Sequence, residues 1–249
     1  MSGRGPNLHS GMSFGLSRGR ELDTAPGVVA LSEQELGPLP DSVISDPLAG
    51  RIDPRTFFSH PERPFEIEIG SGKGTFLLNH AAEHPDVNFL GIEWAREFFE
   101  YAADRIRRRG LVNVRMLRAD ATEFIRWRVP DGIVRAIHLY YSDPWPKTRH
   151  HKNRVVQDAF LAEVHRVLAP GGELRVVTDH EGLWDWCQAH FARVTGPAGG
   201  SFELREFAPP TWVEGDELVG TNYERKTRAE GRPPRAAVLR KPDPRSRVE

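Results

Sequence analysis

Two hydrophobic periods alternate along the chain from Phe65 onward. Apolar runs rich in β-branched and aromatic residues read as strands: FEIEIG (65–70), NFLGIE (88–93), VNVRML (112–117), IVRAIHLYYS (133–142) and ELRVVTD (173–179). Between them apolar positions recur every three or four residues, the helical spacing. Residues 73–83 put Phe76, Leu77 and His80 on one side. Residues 94–109 stack Phe98, Ala102 and Ile106, and turn Arg96, Glu100, Asp104, Arg107 and Arg108 to water. A short helix is predicted after Ala121. Residues 155–168 turn Val156, Phe160, Val164, Val167 and Leu168 inward. APGG (169–172) ends that helix, because glycine accepts the left-handed conformation and proline cannot continue a helix. A further helix runs through Trp184 and Trp186 to about Phe191, and FELREF (202–207) and AAVLR (236–240) read as closing strands.

Strands alternating with helices predict an α/β fold of the Rossmann-like kind, a largely parallel seven-stranded sheet with helices on both faces. The two last strands, with little helix between them, predict an antiparallel edge. Residues 1–60 are punctuated by Gly and Pro and keep no period. They read as a partly disordered leader with one short ordered piece around 28–36, and residues 61–249 read as the domain. No internal repeat is present.

Composition narrows the class. Of 249 residues 39% are hydrophobic, enough for a real core, and the net charge is −1, so any basic surface must be local. A single cysteine, Cys187, excludes a disulfide framework and a cysteine zinc site, and fits a reducing compartment. No run approaches the roughly 20 apolar residues of a membrane helix. The N-terminal residues MSGRGPNLHSGMSFGLSRGR lack an apolar signal core. The expectation is a soluble, cytoplasmic protein without a membrane partner.

Ligands of open α/β sheets bind outside the carboxyl ends of the strands. Acids stand there in register: Glu68 in the first strand, then Glu93, Asp120, Asp143 and Asp179 after the next four. One such acid is commonly a helix N-cap; five along one edge suggest a ligand. Glu68 opens the loop E-x-G-x-G-x-G through Gly70, Gly72 and Gly74. The dinucleotide pattern fails because Thr75 stands at its third glycine, and the Walker pattern fails because Ile67 stands at its first and Gly74 follows Lys73. Glycines admit a ligand close to the backbone, while Glu68 would repel a pyrophosphate and suits a cation. Glu93 is placed for a ribose diol and Asp120 for an adenine amino group. Ribose, adenine and a cationic group without phosphate describe S-adenosylmethionine.

The fourth strand runs into SDPWPKTRHHKNR (142–154), a carboxylate, a tryptophan between two prolines, and a basic run. Lys147, Arg149, His150, His151, Lys152 and Arg154 suit phosphates, and are expected at the start of the following helix, where free N–H groups favour anions. A zinc site on His150 and His151 lacks a spaced third ligand, so no metal is expected.

This string resembles the tRNA (guanine-N7)-methyltransferase family. EIGSGKG (68–74), FLGIE (89–93), RADA (118–121), LAPGG (168–172), VTD (177–179) and TNYE (221–224) extend the resemblance from Glu68 to Glu224. The resemblance implies a class I S-adenosylmethionine-dependent enzyme that methylates N7 of a guanine in the tRNA variable loop. It implies cofactor contacts by Glu68, Gly70, Gly72, Glu93, Asp120 and Asp143, with Asp143 also the catalytic acid position. It implies substrate contacts by Lys147, Asp179, Thr221, Asn222, Tyr223 and Glu224. Two positions depart from the family pattern: Asn153 replaces the first of two adjacent cations, and Asn222 stands where a charge is common. TNYE is expected in a mobile loop, and either a monomer or a homodimer fits. The competing readings are a methyltransferase with another RNA or protein substrate, and an inert RNA-binding module of the same fold.

Overall fold

The computed structural model describes residues 16–17, 19–195 and 200–247. Residues 1–15 and 18 of the predicted leader therefore lie outside the described residues. Eight strands form one sheet: β1 (Ala30–Ser32), β2 (Phe65–Ile69), β3 (Asn88–Ile92), β4 (Val114–Arg118), β5 (Val134–Tyr140), β6 (Leu168–Thr178), β7 (Glu203–Arg205) and β8 (Arg235–Arg240). The helices are α1 (Glu33–Leu36), α2 (Thr75–Glu83), α3 (Arg96–Arg108), α4 (Ala121–Trp127), α5 (Asp158–Val167), α6 (Glu181–Val194) and α7 (Asn222–Ala229).

The strand order is β1-β4-β3-β2-β5-β6-β8-β7. All neighbours are parallel up to β6, and β8 runs antiparallel to both β6 and β7. The chain leaves β2 toward β3 and β4, then returns to β5 on the other side of β2. That reversal opens a crevice between β2 and β5 at their carboxyl ends. β2 and β3 are buried along their whole length, as central parallel strands covered on both faces must be. Ile67, Ile69, Ile137 and Leu139 pack against α4, α5 and α6 through Phe124, Phe160, Leu161, Leu183 and Phe191. The opposite face packs Leu77, Leu78, Ala102 and Ile106 of α2 and α3 on Phe89, Val114 and Met116.

The structure departs from the sequence expectations in several places. The sheet has an eighth strand, β1, whose register on β4 pairs Ala30 with Met116; three residues are too few to show a period. β6 begins at Leu168 rather than Glu173, so APGG is an irregular entry into the strand rather than a stop before it. A Cβ on Gly172 would lie 2.9–3.0 Å from three carbonyl oxygens, so this entry needs glycine. Asp104 is buried rather than solvated, because Arg20 at 2.7 Å and Arg108 at 2.9 Å close over it. TNYE forms the cap and first turn of α7 instead of a loop. The basic run forms its own 3-10 turn, Thr148–Asn153, and α5 starts only at Asp158, so the run does not occupy that helix's N-terminus.

Candidate active site at the carboxyl edge of the sheet

Glu68 lies in the middle of this edge and is buried, at 5% exposure. Its register partners are Gly91 of β3 and His138 of β5. The side-chain oxygen Oε2 has no hydrogen-bond partner among the described residues. Burial, reinforced by the negative charge of Glu93, pushes its carboxyl up to about 8. Beyond it Gly70, Gly72 and Gly74 all take positive φ (71°, 52° and 66°), which L side chains rarely adopt. A Cβ on Gly70 would meet nothing within 4 Å, whereas one on Gly74 would touch the Ala102 methyl at 3.0 Å. The first glycine thus faces open space and the last packs the loop onto α3.

Glu93 braces this loop. Its Oε2 accepts from the Gly72 amide at 2.8 Å and its Oε1 from the Ala95 amide at 2.8 Å. Burial raises its carboxyl above the ordinary value, and the charge of Asp143 adds to the shift. Asp120 is the N-cap of α4: Oδ1 accepts from the Thr122 amide at 2.9 Å, the Thr122 hydroxyl at 2.6 Å and the Glu123 amide at 3.2 Å. Asp120 itself is exposed, so its capping leaves the other oxygen to solvent or ligand.

Asp143 is exposed and lies three residues past the end of β5. It stands between two strained residues, Tyr141 (φ 53°) and Trp145 (φ 43°). A non-glycine residue in the left-handed region costs about 1–3 kcal/mol, so the surroundings must impose the turn. Tyr141 is held by its amide on the Val177 carbonyl at 2.7 Å. The second clamp is Arg154, which donates to the Pro144 carbonyl at 2.9 Å and the Gly182 carbonyl at 3.1 Å, with Trp186 stacked on its guanidinium. Arg154 is 4% exposed. It fastens the turn to α6 and is enclosed away from any phosphate, unlike the sequence expectation. Trp145 meets the ring of His150 edge-on, 5.8 Å away. Lys147 is exposed; its carbonyl accepts from the His150 amide at 2.8 Å, and its side chain makes no hydrogen bond or ion pair among the described residues.

The other expected substrate residues divide by exposure. Asp179, just after β6, is buried against Arg232, and its Oδ2 has no hydrogen-bond partner among the described residues. Thr221 caps α7 through the Glu224 amide at 3.1 Å. Glu224 is fully buried, and its carboxylate accepts from the amides of Leu218, Val219 and Gly220 at 2.5, 2.9 and 3.1 Å. Both build the approach to the helix. Asn222 and Tyr223 face outward, and Tyr223 lies 5.0 Å from the Tyr141 ring. Burial raises the Tyr223 phenol, with Asp143 contributing. The fold therefore brings Tyr223, Tyr141, Asp143 and Glu93 into one neighbourhood.

Sequence reasoning missed Trp94, which is 70% exposed immediately after Glu93; an exposed tryptophan at a strand end was the available signal. It also missed a buried polar group beneath the edge, in which Glu66 meets His138 at 2.7 Å, Arg135 at 2.6 Å and His80 at 3.7 Å. No helix among the described residues is long and apolar enough to cross a membrane.

Comparison with known proteins places this geometry. The family model described as "Putative methyltransferase" matches residues 62–233. A tRNA (guanine-N(7)-)-methyltransferase of Nitrobacter hamburgensis is 36% identical over 237 residues, covering 94% of this chain and 88% of the relative. Proteins of the same name from Geobacillus kaustophilus and Oceanobacillus iheyensis are 39% and 34% identical, covering 62% and 77% of this chain and 70% and 86% of theirs. The match spans every strand from β2 to β7, and the chain belongs to the tRNA (guanine-N(7)-)-methyltransferase family.

Proposed function

We propose that the protein transfers the methyl group of S-adenosylmethionine to N7 of a guanine in the variable loop of tRNA, in the cytoplasm. The observation that carries this reading is Glu68, a buried carboxylate with an unpartnered oxygen beside a glycine loop open to a ligand. Such a group favours a cationic ligand, and a phosphate would be repelled. Glu68, Gly70, Gly72, Glu93 and Asp120 would hold the cofactor, which would supply an electrophilic methyl group. Residues 61–249 are the methyltransferase domain, and the leader contributes β1 to its sheet edge.

Guanine N7 presents a lone pair without a proton. The chain therefore needs no general base at that atom, and its task is alignment and charge stabilisation. As the bond to N7 forms and the S–CH3 bond breaks, positive charge would pass from the sulfonium to the purine, the neutral thioether would leave, and the exposed carboxylate of Asp143 would stabilise the charge on the base. The imposed turn around Asp143 fixes that carboxylate before substrate arrives, which spares reorganisation during reaction. The Lys147 side chain, without a partner among the described residues, is available for phosphate, and Asn222 and Tyr223 are exposed as well. Asp179 takes part through its pairing with Arg232, which orders the segment after α7.

The test is methyl transfer from radiolabelled S-adenosylmethionine to unmodified tRNA, followed by nucleoside analysis. Label in 7-methylguanosine is the expected result. Cofactor binding with label in another RNA or in protein would replace the substrate assignment, and absence of cofactor binding would overturn the enzyme reading.

A further inference from the structure

The segment from Glu206 to Thr221 connects β7 to α7 and ends where the TNYE motif begins. Two of its residues, Phe207 and Val219, are buried in a small apolar cluster with Phe76, Tyr140, Val177 and Val238. Between them in sequence lies Trp212. Its ring lies 6.0 Å from that of Phe76, and its indole N–H donates to His80 Nδ1 at 3.0 Å. On the other side it abuts Gly220, where an added Cβ would fall 2.5 Å from the indole. Gly220 has φ +65° and immediately precedes Thr221, the N-cap of α7. One indole is thus wedged between α2 and the residue from which the motif starts.

The acceptor at the other end is fixed by its surroundings. Burial drives His80 down to about 3, so the ring is neutral at working pH. Because Nδ1 accepts from Trp212, the single ring proton sits on Nε2, which faces Glu66 Oε2 at 3.7 Å. Behind it His138 bridges Glu66 at 2.7 Å and the Tyr140 hydroxyl at 2.8 Å. Glu66, His80 and His138 offer ligand atoms within 4.8 Å of one another, a spacing a metal could use. A metal on Nε2 of His80 would need the proton on Nδ1, the atom already accepting from Trp212. Arg135 also occupies the Glu66 carboxylate. The cluster is therefore committed to its internal hydrogen bonds, and its outward product is one acceptor aimed at Trp212.

We propose that His80 and Trp212 are positioning residues for the RNA substrate: their hydrogen bond latches the segment 206–221 onto α2 and so holds Tyr223 beside Tyr141 and Asp143. This rests on the reading of Asn222 and Tyr223 as substrate contacts. Neither His80 nor Trp212 is among the residues assigned above to the cofactor or to the substrate.

Three substitutions isolate the bond. Trp212→Phe keeps a ring in the wedge and deletes the donor. His80→Asn keeps an acceptor at the position of Nδ1, and His80→Gln moves it to the position of Nε2. Trp212→Phe and His80→Gln are expected to raise KM for tRNA about fivefold, the scale of one hydrogen bond. Their kcat and their Kd for S-adenosylmethionine should stay within about twofold, and amide exchange across 206–221 should accelerate by a similar factor to KM. His80→Asn should remain near wild type in every measure. Unchanged exchange in Trp212→Phe, loss of cofactor affinity in step with KM, or equal defects in the two histidine variants would each overturn the latch. If His80→Gln fails to fold, Trp212→Phe decides alone. Wild-type protein inactive on tRNA would instead remove the functional reading, while the exchange comparison would still decide whether the latch exists.

Discussion

Two glutamates of β2 sit two residues apart, on the same face of the same strand, at 3% and 5% exposure. Burial presses both toward the neutral form, yet they end at opposite extremes. At Glu66 the hydrogen bond and charge of His138, with Arg135, outweigh burial and hold the carboxyl down at about 2. At Glu68 burial prevails, and the carboxyl rises to about 8. The difference lies in partners rather than in depth. Toward the amino end of the strand His138 and Arg135 of β5 hold the carboxylate, with His80 of α2 3.7 Å away. Toward the carboxyl edge the chain turns away through glycines and leaves an oxygen unmatched. One acid is satisfied within the fold, and the other keeps an unmatched oxygen at the position proposed for the ligand.

The sharpest way to break this comparison is one strand over. Asp143→Ala removes an exposed carboxylate that no packing depends on. Methyl transfer should fall by about 10²–10³-fold, the scale of losing one preorganised electrostatic group, with thermal stability unchanged. A Tm loss comparable to that of a core variant would show that Asp143 serves the turn and not the chemistry.

Glu68→Gln comes next. Loss of a charge-assisted contact to a cationic ligand should weaken S-adenosylmethionine binding by about 10–100-fold in calorimetry. In wild type that affinity should rise as pH climbs toward 8, since binding requires the ionised form, and Glu68→Gln should flatten the profile. Without ligand the sign reverses for stability. A folded carboxyl at about 8, against 4.5 unfolded, binds a proton that the unfolded chain has lost. Stability therefore declines between those values, and Glu68→Gln should gain on wild type across the same interval.

Glu66→Gln should show the mirror image. Its depressed carboxyl contributes stability that is present above 4.5 and lost as pH falls toward 2. At neutral pH the substitution leaves a buried donor short of its partner, at a cost of about 1–3 kcal/mol. Tm should drop by roughly 3–10 °C while cofactor affinity persists. The two glutamate variants exchanging these phenotypes would refute the division between them.

Lys147→Ala should have the smallest effect. Binding of tRNA should weaken severalfold, and the slope of log affinity against log salt should decrease by about 1. Cofactor affinity should not move. A defect independent of salt would argue that Lys147 contacts something other than phosphate.

Much of this was legible along the chain because it depends on near neighbours. The period change at Phe65, the strand runs and the acid after each of them are local facts, and they imply a parallel sheet with a ligand edge. The three glycines of 70–74 likewise read as a loop with accessible backbone, and in the structure each takes positive φ. The string SDPWPKTRHHKNR carried the family resemblance without any geometry.

What the sequence left undetermined depends on residues far apart in the chain. Asp104 reads as a solvent position until Arg20, 84 residues away, closes over it. Arg154 reads as a phosphate ligand until the fold sets Pro144 and Gly182 within its reach. Nothing local distinguishes Glu66 from Glu68, or connects Trp212 to His80 across 132 residues. Periodicity determined by itself the class of fold, and the string after the fourth strand carried the resemblance to the family. The tertiary structure alone decided which buried charges are satisfied, because desolvation acts on every enclosed group while the donors that compensate it arrive only with the packed chain.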